Sequence, residues 1–352
     1  MTETLTDPIL VLVDLEAPSD APGGLGAAQT THARPTGPAL DLLAGARHLT
    51  SGDVVAVVLG TVGADASALL AAAGATRLLA AELGGSQSLA GVAADALVCA
   101  ARSVRPAASL VVSDYRGKEV AGRAAVLLGS AAACDVAEVE VRDGALHASR
   151  LVLSGSWSTT TRLAASGEAA PVLAVRPGAF AAAGVEAGEL DREVRPEPLA
   201  VEVLDAEVSP QSLSVRLVSR EQASVVSGPD LAQARTVVVG GRGVDGDFDL
   251  VRSLAEPLGA AVGATRVACD EGWIERSAQI GQTGLSVAPR LYVGLGVSGA
   301  VHHTSGIQGA GTIVAVCDDS EAPIFEMADY GIVGDVREVV PQLVEELGRL
   351  RG

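Results

Sequence analysis

A layered α/β protein of two domains, each a mainly parallel sheet with flanking helices, is the fold this sequence predicts. Three observations lead there. The chain has 352 residues, 48% of them hydrophobic, which is enough for two ordinary domains that each bury a core. With two Trp, three Tyr and three Phe in the whole chain, that core must be built from small and branched aliphatic side chains. Short β-rich runs then alternate with Ala/Leu-rich helical stretches in two series, separated by a segment rich in Gly, Pro and charge.

The first series has strand-like runs at residues 9–13, 53–59, 76–80, 109–113 and 171–176, most of them followed by a helical stretch, which is the βαβ pattern of a parallel sheet. Runs at 136–141 and 151–154 have no helix between them, and Arg142-Asp143-Gly144-Ala145 reads as a hairpin or meander turn. From Phe180 to about Asp230 the texture changes, with further candidate strands at 201–204 and 215–218; this is the tail of the first domain and the linker, placing the domains at 1–228 and 229–352. The second series runs through 236–239, 286–288, 291–294, 312–317 and 330–334. It closes on an amphipathic helix at 336–350, with Asp335 as N-cap and Pro341 in its first turns.

Charge and composition exclude several classes. A formal charge of −18, from 43 acidic and 25 basic residues, repels nucleic acid and anionic membranes, and there is no basic patch to offset it. No N-terminal stretch reads as a cleavable leader, and no run of ~20 apolar residues escapes interruption. The expectation is a soluble, cytoplasmic protein without an integral membrane segment. Cys99, Cys134, Cys269 and Cys317 are scattered, with neither CxxC nor His at ligand spacing, so no metal site or disulfide framework is expected. Hydrolytic and phosphate-transfer signatures are absent: there is no G-x-S-x-G, Walker lysine or HExxH motif.

Candidate chemistry concentrates in the second domain. The run at 236–239 leads into Gly240-Gly241-Arg242-Gly243, where glycines let backbone N–H groups approach a phosphate and Arg242 adds a forked cation; a strand-ending turn with a surface arginine has the same look. Gly294-Leu295-Gly296-Val297-Ser298-Gly299 satisfies G-x-G-x-x-G directly after a strand, and Asp318 and Asp319 follow roughly twenty residues on. That spacing matches a dinucleotide fingerprint leading to a helix N-terminus. His302 and His303 follow it; neighbouring helical residues point apart, so the doublet is not read as a metal site. Between these loops lie residues 262–266 (VGATR) and 279–284 (QIGQTG), the second dense in small hydrogen-bonding residues suited to a polar planar ligand, as a bare loop also would be. A tightly held redox cofactor fits these features better than hydrolysis or group transfer.

In order and spacing these segments resemble the alpha subunit of electron transfer flavoproteins. The family pattern G-R-G, V-G-A-S-R, Q-x-G-Q-T-G-K-x-V-x-P-x-L-Y, G-I-S-G-A-x-Q-H, I-V-A-I-N-x-D and A-P-I-F-x-x-A-D-Y-G stands here at 241–243, 262–266, 279–292, 296–303, 313–319 and 322–331. A fainter likeness extends over 109–123 and 171–180. The resemblance implies a Rossmann-like, deoxyhypusine-synthase-like FAD-binding second domain and a heterodimer with a beta subunit. It also implies electron transfer from flavin dehydrogenases, such as those acting on acyl-CoA in fatty acid β-oxidation, to a quinone reductase or another acceptor.

By the same resemblance Arg266 would stabilise an anionic semiquinone, Thr283 would hydrogen-bond near the flavin N5 edge, and His303 would face the pyrimidine carbonyl end. Ile280, Gly281 and Gln282 would line that edge, with Thr265 beside it. Ser298, Gly299, Ala300, Val301 and His302 would cover the phosphates and ribityl chain, while Arg242, Cys317, Asp335 and Val336 would lie toward the nucleotide half. Four departures stand out: Thr265 for Ser, Leu285 for Lys, His302 for Gln, and Cys317 for Asn. Other readings are an NAD- or FAD-dependent two-electron oxidoreductase, a subunit of an electron-bifurcating flavoprotein with a second FAD in its partner, or a nucleotide sensor or scaffold that binds through the first domain.

Overall fold

The computed structural model describes residues 3–16, 33–83, 86, 88–152, 157–163, 169–180, 197–218, 229, 231 and 234–351. These fall into two compact units: Met1–Leu151 with Ser158–Glu221, and Val152–Trp157 with Gln222–Gly352. Among the described residues no helix is long and apolar enough to cross a membrane.

The first unit opens with β1 (Ile9–Val13), a short β2–β3 ribbon (Leu15–Glu16, Arg34–Pro35) and α1 (Gly37–Leu49). It continues through β4 (Val54–Leu59), α2 (Ala64–Ala72), β5 (Arg77–Ala81), α3 (Ala90–Val104), β6 (Ala108–Val112) and α4 (Tyr115–Leu128). Then come β7 (Ala132–Val136), β8 (Glu138–Arg142), β9 (Ala145–Val152), β10 (Trp157–Leu163), β11 (Val172–Val175), β12 (Val201–Val203) and α5 (Pro210–Leu213). Seven strands form a sheet in the order β12-β5-β4-β1-β6-β11-β7, with parallel pairing throughout. Helices cover both faces, which is why β1 reads as an unbroken apolar run. Ile9, Val11 and Val13 pack into one core layer and Leu10 and Leu12 into the other.

Strand order reverses between β1 and β6, the place where an open α/β sheet has its ligand crevice. Here the chain's own charges occupy it. Arg116 pairs with Asp14 at 2.5 Å, and burial outweighs that cation and raises the Asp14 pKa.

Two expectations change in this unit. The run at 136–141 is two strands: β7 ends at Val136 in the parallel sheet, and β8 begins the antiparallel β8-β9-β10 sheet. The break comes at Ala137, just after Asp135 inside β7 adopts a left-handed φ of 56° where the pairing with β11 shifts register. The turn between β8 and β9 carries Asp143 and Gly144 at φ 51° and 66°, a two-residue hairpin connection. Residues 215–218 are no strand, and the strand beside β5 is β12. Much of the expected linker, at 181–196 and 219–228, and the end of the run at 151–154 lie outside the described residues.

The second unit follows with β13 (Thr236–Gly240), α6 (Phe248–Leu258), β14 (Ala261–Ala264), α7 (Arg266–Asp270), β15 (Leu291–Leu295) and α8 (Val301–Thr304). It ends with β16 (Thr312–Cys317), β17 (Tyr330–Val333) and α9 (Val336–Arg351). The sheet is parallel in the order β14-β13-β15-β16-β17, so its switch point lies between β13 and β15. α6 and α9 seal one face, with Val238, Val293 and Val316 beneath them. The other face is roofed by irregular chain. Val237, Tyr292 and Ile313 on that face pack against Ile280, Val287, Val297, Ile307 and Ile324 from three loops. Residues 286–288, expected as a strand, belong to this roof; only Leu285 makes an isolated bridge, to Ile280.

Candidate functional site

At the switch point the loops after β13 and β15 close on each other. Gly241 N–H donates to the Leu295 carbonyl at 2.9 Å, and Gly243 N–H to the Gly296 carbonyl at 2.9 Å. A Cβ on Gly241 would lie 2.3 Å from that Gly296 oxygen, so only glycine permits this approach. Two of the N–H groups expected to meet a phosphate are therefore spent inside the protein. Arg242 stands exposed at the rim of the same turn.

The G-x-G-x-x-G spacing does not make a dinucleotide turn. Its first glycine, Gly294, lies within β15, where a Cβ would touch the Tyr292 ring at 3.0 Å. Only Gly296 and Gly299 lie in the loop, with φ 61° and 81°, and the helical segment beyond is the single turn α8. Gly299 packs so closely on the Ile324 backbone that a Cβ would lie 2.3 Å from its nitrogen, while Ser298 accepts the Ile324 N–H at 3.1 Å.

The second wall is the segment 279–285. Ile280 N–H donates to the Ala264 carbonyl at 2.9 Å, and Gln279 bridges Ala264 in parallel, so this segment extends the β14 edge of the sheet. Gly281, at φ 137°, leaves no room for a Cβ, which would lie 2.3 Å from the His302 carbonyl. Gln282 N–H donates to that carbonyl at 2.7 Å, and His302 Nδ1 donates back to Gln282 Oε1 at 2.6 Å. The QIGQTG segment and the SGAVHH segment are thereby one clasp. Thr283 is exposed on it, its Oγ1 accepting from Gln279 Nε2 at 2.9 Å. Leu285, which replaces a family lysine, packs partly buried against the roof.

Thr265 and Arg266 enter from the end of β14. Thr265 N–H donates to the Gly240 carbonyl at 3.0 Å, and its hydroxyl oxygen is buried without a partner. Arg266 begins α7, exposed, with Nε 3.1 Å from Asp270 Oδ2; Arg276 shares that carboxylate at 3.4 Å.

His303 lies behind the clasp, enclosed by protein. It is 5% exposed, and both ring nitrogens have protein partners. The Ile280 carbonyl, 3.0 Å from Nδ1, can only accept, so the ring proton is on Nδ1 and Nε2 accepts from the Tyr292 hydroxyl at 2.8 Å. Burial holds its pKa down to about 4 and keeps the imidazole neutral. His303 thus braces the clasp from behind, and the imidazole at the surface is His302.

Toward the other end of the sheet, Cys317 is buried at the tip of β16, where burial raises its thiol pKa. Its carbonyl accepts from Gly334 N–H at 3.0 Å, which brings it beside Asp335. Asp335 caps α9 through Arg337 N–H at 2.8 Å, and Val336 is buried in the core against α6. Ala300 and Val301 are exposed on the α8 turn. Among the described residues no cluster of three or more His, Cys, Asp or Glu could hold a metal ion.

Gln279 and Tyr292 complete the site and were not singled out from sequence. Gln279 opened the QIGQTG string, but nothing in a string reports that its amide is buried.

Comparison with known proteins accords with this geometry. A family model described as the electron transfer flavoprotein FAD-binding domain matches residues 230–308, and one described as the electron transfer flavoprotein domain matches 27–200. The chain is 41% identical to electron transfer flavoprotein subunit alpha of Mycobacterium leprae (strain TN) over 317 residues, 89% of this chain and 94% of that protein. Identity to the subunit alpha of Mycobacterium tuberculosis (strain CDC 1551 / Oshkosh) is 42% over the same length and shares. Protein FixB of Clostridium saccharobutylicum is 35% identical over 247 residues, 69% of this chain and 70% of that protein. An FAD-binding domain matched on the unit that holds these loops, and relatives aligned along most of the chain, lead to one statement: the chain belongs to the electron transfer flavoprotein alpha-subunit family.

Proposed function

We propose that this chain carries electrons on an FAD held by its second unit, as one half of a cytoplasmic heterodimer with a beta subunit. Flavin dehydrogenases, such as those acting on acyl-CoA, would be its donors, and a quinone reductase or similar protein its acceptor. One observation carries the reading. Among the described residues of the second unit, the two buried side-chain atoms that lack a hydrogen-bond partner are Thr265 Oγ1 and Gln279 Oε1. They sit on neighbouring segments joined at the Ala264–Gln279 bridge. An unpaired buried polar atom costs about 1–3 kcal/mol, so two together beside a tight glycine clasp suit a polar ligand that completes them.

Bound FAD supplies the electron chemistry: its ring system takes up and returns electrons and gains negative charge on reduction. The chain's residues orient it and tune it. Arg266 places a fixed cation near that charge, Thr283 offers a hydroxyl to the ring edge, and Ile280 to Gln282 with His303 behind them form a rigid wall. Ser298 to His302 cover the phosphate and ribityl side. Arg242, Cys317, Asp335 and Val336 border the nucleotide half, where the Cys317 thiol is a weaker partner than the family's asparagine. An NAD enzyme is disfavoured, since the Gly281-Gln282-Thr283 loop together with Arg266 serves a flavin ring and has no evident use for a nicotinamide.

The test is co-expression with a beta-type partner, followed by an absorption spectrum and cofactor release. A yellow complex that yields FAD on denaturation is expected. A folded, colourless complex that takes up no added FAD overturns the reading.

A further inference from the structure

We propose that Gln279 is a positioning residue that sets the direction in which the Thr283 hydroxyl donates; this rests on the FAD reading above. Gln279 is 2% exposed and held along its whole backbone. Its N–H donates to the Arg276 carbonyl at 3.1 Å, its carbonyl accepts from Leu285 N–H at 2.8 Å, and it bridges Ala264. Gly284 presses against it so closely that a Cβ there would lie 2.2 Å from the Gln279 carbonyl oxygen and 3.1 Å from its Cγ. The side chain thus leaves a fixed base.

From that base Gln279 Nε2 donates to Thr283 Oγ1 at 2.9 Å. A threonine hydroxyl has one proton and two lone pairs. When the amide N–H occupies a lone pair, the hydroxyl proton cannot return to the same nitrogen, and it points away from Gln279. Thr283 is on the exposed side of the loop, so the proton is offered outward, where the ring edge lies in the reading above. Without the amide the hydroxyl would rotate freely and spend part of its time donating elsewhere, which weakens a preorganised hydrogen bond.

The experiment is a double-mutant cycle on the co-purified complex, read by the reduction potential of the bound cofactor, its FAD content and its melting temperature. Gln279→Met keeps the length and removes the amide, and Gln279→Leu is the second choice should Met fail to fold. At unchanged FAD content, Q279M is expected to shift the potential in the same direction as Thr283→Val and by less. In the T283V background it is expected to add no further shift, whatever it does to melting. An equal shift from Q279M with and without Thr283's hydroxyl overturns the proposal, as does no shift in the wild-type background. A T283V variant whose potential is unchanged removes Thr283 from the ring and takes the Gln279 role with it. Absence of FAD from the wild-type complex instead removes the underlying reading.

Discussion

At the scale of single residues, electrostatics separates Arg266 from His303. Arg266 has a 58% exposed side chain and shares Asp270 with Arg276, so its charge is partly screened and partly answered. Its contribution to the reduced cofactor should be that of a surface cation, about 1 kcal/mol. Arg266→Ala is therefore expected to retain FAD and lower the reduction potential modestly in a potentiometric titration; full FAD content with an unmoved potential removes the role assigned to it. His303 acts through stability. Its pKa of about 4 lies below the ordinary 6.5 because burial penalises the imidazolium. The unfolded chain therefore binds a proton that the folded chain refuses between those values. Stability from this group is fully present above pH 6.5 and is lost as pH falls toward 4, by up to roughly 3 kcal/mol. Denaturant midpoints measured from pH 7 to pH 4 should fall less steeply in His303→Gln, which keeps a donor and an acceptor between Ile280 and Tyr292. Parallel pH profiles for the two proteins would show that another group dominates acid sensitivity.

At the scale of elements, strands buried on both faces were legible because burial leaves a continuous apolar run, as in residues 54–59, where VVAVVL is buried throughout. The same rule hid the division at Ala137. There the chain leaves a parallel sheet for an antiparallel one within two residues, and alternation in VAEVEV continues across the break. β14 (Ala261–Ala264) was readable only as part of the VGATR motif, since a four-residue strand of small side chains has no period of its own. The G-x-G-x-x-G misreading has the same origin. Spacing shows that glycines recur but not why: Gly294 makes room for the Tyr292 ring, and Gly299 makes room for the Ile324 backbone. By contrast, the motif residues from Thr265 to His303 came together because order and spacing in a parallel sheet bring successive strand ends to one edge. What no pattern conveyed was which of two adjacent histidines is buried, because that depends on a carbonyl and a phenol from elsewhere in the chain.

At the scale of the whole molecule, the two units differ in how their sheets are finished, and a ligand should therefore act on them unequally. The first unit has core layers on both faces of its seven-stranded sheet, and its switch point holds the Arg116–Asp14 pair. One face of the second unit is roofed by loops that pack through a handful of side chains, Ile280, Val297 and Ile324 among them. Such segments open locally at lower free-energy cost than a helix-covered sheet. A ligand that binds only the folded site adds RT ln(1 + [L]/Kd), about 2.7 kcal/mol at a hundredfold excess over Kd. In hydrogen exchange on the complex, adding FAD to cofactor-stripped protein is expected to slow exchange in 279–285, 296–304 and 322–328 and at the ends of β13 and β15, leaving β1, β4 and β6 unchanged. Slowing at the first unit's switch point, around Asp14 and Arg116, without change in the three loops would move the nucleotide site to the first domain. The pair at that point makes the outcome chemically unfavourable, since a phosphate there would meet the carboxylates of Asp14 and Asp114 and compete with Asp14 for the arginine.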